Sequence, residues 1–122
     1  MKSFIISIIL FSVLISGIVA NAIYINEESR HLTELAAELG SLEDPTFEVR
    51  FNELYEEWTR FRGLADVSCS HSELGKIDLV LEEIKAHAAT KSLVDYEAAR
   101  NALILYLEDI ARLEKISLRG LI

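Results

Sequence analysis

The chain has 122 residues, 12 Lys and Arg against 20 Asp and Glu, and a formal net charge of −8. That length holds one domain and no more. Its single Cys excludes an internal disulfide framework, and the acidic balance without a basic stripe makes nucleic acid a poor partner.

The first 26 residues stand apart. From Ser3 to Asn26 there is no charge, and the run "FIISIILFSVLISGIVANAIYI" is almost wholly apolar. As a helix these positions extend roughly 36 Å, longer than the ~30 Å hydrocarbon core, and helix is the form that satisfies backbone groups where water is absent. Two readings compete. Ala20-Asn21-Ala22 fits the small-x-small pattern of a cleaved signal peptide, but the apolar stretch exceeds the usual ~7–15 residues and the n-region carries only Lys2. An uncleaved signal anchor is the preferred reading. Ser7, Ser12, Ser16 and Gly17 are compatible with a membrane helix, and Tyr24 falls at the interfacial aromatic belt.

Charge bias barely orients the span, since Arg30 follows it amid Glu27 and Glu28. A short N-terminus before a signal-like segment favours a cytoplasmic N-terminus and an extracytoplasmic remainder. Two units result: a transmembrane helix over 1–26, contacting lipid through 4–25, and an acidic helical bundle over 27–122. All 20 acidic residues and 11 of the basic ones lie in the second unit, about −9 in formal charge. No polybasic cluster follows the span directly.

The bundle is rich in helix formers, has one Pro and shows no alternating strand pattern. Leu32, Leu35 and Leu39 recur at spacings of 3 and 4 and stop at Gly40, a natural helix-ending residue. No Pro or Gly interrupts Ala22 to Leu39, so the span can run on into this segment as one helix. Asp44 then caps a second helix, with Pro45 at its first position. Its apolar stripe is Phe47, Phe51, Leu54, Trp58, Phe61 and Ala65, widened by Tyr55. A third stripe is Leu74, Ile77, Leu81, Ile84 and Ala88. A fourth, starting near Ser92 with Asp95 three residues on, is Tyr96, Ala99, Leu103, Tyr106, Ile110 and Leu113. Such spacings suit near-antiparallel neighbours joined by short loops. The expected fold is all-α: an N-terminal transmembrane helix followed by an antiparallel bundle of three to four helices.

"CSHSELGKID", residues 69–78, gathers a thiol, an imidazole and two carboxylates at the third helix's start. Its structural reading is a capping box, Ser70 at the N-cap and Glu73 three residues on, flanked by a Cys69–Leu74 hydrophobic staple. As a metal centre it lacks the thiol pairs and His spacings that zinc needs. On a helix His71 points away from Cys69 and Glu73. His71, Asp78 and Glu82 share a stripe with Gly75, a weak cation or proton site at best. Cys69 as a nucleophile lacks an aimed base; burial as a small apolar residue is preferred over a link between chains. No catalytic residue, cofactor or metal is expected.

A single N-terminal span, a Trp on the central helix, "HSELGKID" and the terminal "ISLRGLI" together resemble family 4363 of domains of unknown function, short membrane proteins of endospore-forming Firmicutes. The resemblance covers nearly the whole chain, with His71-Ser72-Glu73-Leu74 and Ile77-Asp78 its most recognisable piece. Gly75 departs from the polar residue, often Asp, expected in relatives. The resemblance implies a Gram-positive membrane setting and brings no activity. The expected function is a non-enzymatic, membrane-anchored scaffold or accessory protein that binds a membrane protein or itself. The alternative is an extracytoplasmic small-ligand or cation sensor using the His71, Asp78 and Glu82 face.

Overall fold

The computed structural model describes residues 1–65 and 71–121, with side chains up to Leu113 in the last helix. It is all-helical among those residues. The elements are α1 (Lys2–Ala37), α2 (Phe47–Ala65), α3 (His71–Thr90) and α4 (Leu93–Leu121).

Membrane-like segment and first bundle helix are one element. α1 has 36 residues, about 54 Å at the usual helical rise. The residue 26/27 boundary falls inside it, with no break. Its apolar N-terminal part is long enough to cross a bilayer and has no partner in the fold: Phe4, Leu10, Phe11, Val13 and Leu14 are all over 60% exposed. Its C-terminal part is a core helix, burying Ala22, Ile25, Ser29, Leu32 and Ala36. Bundle packing therefore begins at Ala22, inside the 4–25 stretch assigned above to lipid. A uniformly apolar run offers no contrast between a lipid-facing and a core-facing residue, which is why Ile25 was not legible as core.

Punctuation sets the topology. After Leu39, Gly40 takes φ +68°, a left-handed conformation that glycine adopts without steric penalty. The next turn closes with Asp44 N–H donating to Ser41 O at 3.1 Å. Asp44 Oδ1 accepts from the Thr46 N–H at 2.8 Å, and Asp44 O accepts from the Phe47 N–H at 3.0 Å. Asp44 and Pro45 thus form an initiating turn, and α2 proper starts two residues later than expected, at Phe47. Between α3 and α4 the chain makes a six-to-one bond from Ser92 N to His87 O and a five-to-two bond from Lys91 N to Ala88 O. This pair is a Schellman motif, with Lys91 in the left-handed position at φ 56°. The Ser92 hydroxyl donates to Asp95 Oδ2 at 2.7 Å as α4 begins.

α4 starts where α1 ends. The Tyr96 hydroxyl donates to Gly40 O at 2.7 Å, and Arg100 Nη1 donates to the same carbonyl at 3.4 Å. α1 and α4 therefore run antiparallel and share the most extensive interface of the bundle. α3 packs on the other side of α4, and α2 on α1. Phe47, Phe51, Leu54, Trp58, Phe61, Leu74, Ile77, Leu81, Ile84, Leu103 and Ile110 are all buried in one core.

Two positions of the fourth stripe differ. Tyr106 is half-buried at the edge of the core, and Leu107, 1% exposed, holds the central place. Leu113 is 46% exposed. The 3-4 stripe read from sequence assumes 3.5 residues per turn. A straight helix of 3.6 drifts about 20° per heptad. By the second heptad the buried line has slipped from Tyr106 to Leu107, and Leu113 lies off it.

Candidate functional site

α2 and α3 meet through long side chains. Trp58 is buried, and its indole Nε1–H donates to Asp78 Oδ1 at 2.7 Å. Arg62 Nε–H donates to Asp78 Oδ2 at 2.6 Å. One turn along, the Tyr55 hydroxyl donates to Glu82 Oε1 at 3.3 Å, with the Lys85 ammonium 5.6 Å from the Tyr55 ring centre. Tyr55, Trp58, Arg62, Asp78 and Glu82 frame a cleft of about 250 Å³. Asp78 and Glu82 are brought together as their helical spacing requires, but with Trp58, Arg62 and Tyr55. His71, exposed at the start of α3, does not line this cleft. A cation at Asp78 would have to displace a guanidinium already bonded there; Asp78 and Glu82 form a helix–helix contact with α2, and His71 stands apart from it.

Of the capping residues, Cys69 and Ser70 lie outside the described residues. Leu74 is fully buried. Glu73 pairs with Lys76 at 3.4 Å. At the other cap, the Thr46 hydroxyl and backbone N–H hold the Asp44 carboxyl below its usual range, and Arg50, 3.7 Å away, adds to this. Arg50 Nη1 also donates to Glu38 O at 3.0 Å, fastening the start of α2 to the end of α1.

A second group of ionisable side chains lies between α1 and α2. Glu28 and His31 sit three residues apart on α1, facing Glu57 on α2, with one donor atom from each within 4.8 Å of the others. Burial pushes the Glu28 carboxyl above its ordinary value. A hydrogen bond with Glu57 and that residue's negative charge push it the same way, while His31 and Arg60 oppose the shift. Arg60 Nη1 lies 3.2 Å from Glu57 Oε1. One turn toward the N-terminus, the Tyr24 and Phe61 rings meet at 6.5 Å. The Glu-x-x-His spacing of Glu28 and His31 is visible in "EESRH". That Glu57 completes the group depends on how α1 and α2 align, which no local pattern encodes.

Among the described residues, two buried side-chain polar atoms have no partner, Ser29 Oγ and Arg100 Nε. Ser29 Oγ sits in the α1 core stripe, and Arg100 uses its other nitrogen on Gly40 while its guanidinium lies 5.9 Å from the Tyr96 ring centre. A wider cleft of about 440 Å³ is lined by Leu42, Phe47 and Phe51 together with Asp44 and Lys85.

No family model, curated protein or solved structure matches this chain.

Proposed function

We propose that the chain is a non-enzymatic membrane-anchored scaffold or accessory protein that holds an acidic helical bundle at a membrane surface and binds a membrane protein or a second copy of itself. The observation that supports this reading is α1. Its N-terminal part presents apolar side chains to the surroundings, while its C-terminal part is built into the core with no hinge between them. An uncleaved anchor of this kind transmits position and tilt to the bundle as a rigid body. The proposed topology places the N-terminus in the cytoplasm and the bundle outside. Affinity purification of the full-length tagged chain from its native membrane in mild detergent tests this. A stoichiometric membrane protein, or the chain itself as a defined oligomer, supports the reading. A monomer eluting alone counts against it.

A second reading, a cation sensor, rests on Glu28, His31 and Glu57 instead of the His71 face. A zinc ion with bonds near 2.0–2.1 Å places neighbouring ligand atoms roughly 3.3 Å apart, within reach of side-chain rotation from the observed spacing. A bound dication would also turn the Glu28–Glu57 repulsion into attraction. Titrating the full-length chain in detergent with Co²⁺ tests this through the visible d–d bands. Bands that appear at micromolar metal and vanish in His31→Ala favour a sensor; a featureless spectrum at millimolar metal eliminates it.

A further inference from the structure

Leu113, which sequence periodicity assigns to the core, is exposed, and so are Leu64 at 56%, Ile23 at 51% and Tyr24 at 39%. They come from three different helices, and helix geometry puts them at one level. Gly40 and Tyr96 are bonded. Seventeen residues back along α1 is Ile23, and seventeen residues forward along α4 is Leu113; at equal rise both lie about 26 Å from that bond. Tyr24 touches Phe61, and Leu64 is one turn further along α2. These exposed apolar residues thus share the level at which α1's bundle packing stops and its unpartnered apolar part starts.

We propose that this end of the bundle is a membrane-docking collar: Leu64, Leu113, Ile23 and Tyr24 enter the interfacial layer of a bilayer. The occupant is the lipid surface, because α1 leaves the collar as a 20-residue apolar helix that fixes where a bilayer would lie. Leucines exposed at that depth exchange water for acyl chains, and an aromatic ring such as that of Tyr24 suits the headgroup level. This inference rests on the anchor reading of α1.

The test uses the full-length chain with Cys69→Ser in vesicles of phosphatidylethanolamine and phosphatidylglycerol, carrying one nitroxide-labelled cysteine in turn at Phe11, Leu64, Leu113 or Leu105. Oxygen and a water-soluble nickel chelate compete to relax the label, which reports depth. Phe11→Cys should be relaxed by oxygen and Leu105→Cys by nickel. Leu64→Cys and Leu113→Cys should fall between them, roughly 12 Å deeper than Leu105→Cys for position 113. If both read as aqueous as Leu105→Cys while Phe11→Cys stays in lipid, the collar is wrong and the anchor stands. If Phe11→Cys is itself aqueous, the anchor fails and the collar fails with it.

Discussion

The Trp58 indole N–H donates to the Asp78 carboxylate across 2.7 Å, joining α2 to α3 between residues twenty apart in sequence. Trp58 is 2% exposed, so its N–H has no ready recourse to water. Loss of its acceptor leaves a buried donor unsatisfied, which costs roughly 1–3 kcal/mol. Asp78→Ala should therefore lower stability by that amount, and Asp78→Asn, which keeps an acceptor, by less. Urea unfolding of the full-length chain in detergent, followed by Trp58 fluorescence, measures both. Equal stability for Asp78→Ala and the parent chain would show that the bond contributes nothing.

Lys91 holds a left-handed conformation at the end of α3. That geometry costs a residue with a Cβ about 1–2 kcal/mol, against a smaller entropic penalty for glycine. Lys91→Gly should raise stability by about 0.5–1 kcal/mol. A loss of stability in thermal melts would mean that the lysine side chain contributes more than its backbone strain costs.

Tyr96 ties the start of α4 to Gly40. Tyr96→Phe removes one hydrogen bond and should cost about 0.5–1.5 kcal/mol. Burial also raises the phenol above its ordinary value of 10.0. The unfolded chain then releases this proton first, so the stabilisation is complete below pH 10 and is lost as pH rises through the folded value. The alkaline loss of stability should be shallower in Tyr96→Phe; identical alkaline profiles would remove Tyr96 as its cause.

Glu28 titrates above its ordinary 4.5 because of burial first and Glu57 second. Its folded value exceeds its unfolded one, so its contribution is fully present below about pH 4.5 and is lost as pH climbs through the folded value. In chelator, Glu28→Gln should flatten this part of the stability profile, and Glu57→Gln should flatten it partly. Unchanged profiles in both variants would dissociate the pair from the pH dependence.

Much of the fold is legible in the sequence because apolar and charged residues alternate sharply at helical spacing from Phe47 onward. The stripe from Phe47 to Ala65 is buried at each position named for it. Legibility fails where contrast or locality fails. Ile25 is hidden in an apolar run, Leu107 competes with Tyr106 as the helix drifts, and the same drift carries Leu113 off the buried line. The Asp78 network and the Glu28–His31–Glu57 group depend on the alignment of separate helices. The carboxylates of "HSELGKID" therefore looked like partners for His71, while the folded chain gives Asp78 to Trp58 and Arg62.

The central claim is that α1 is an intact anchor continuous with the bundle. Intact-mass spectrometry of the chain recovered from native membranes after an alkaline carbonate wash tests it most directly. The account predicts that the washed membrane retains the full 13.8 kDa chain. A shorter chain beginning at Ile23, released into the soluble fraction, would contradict it.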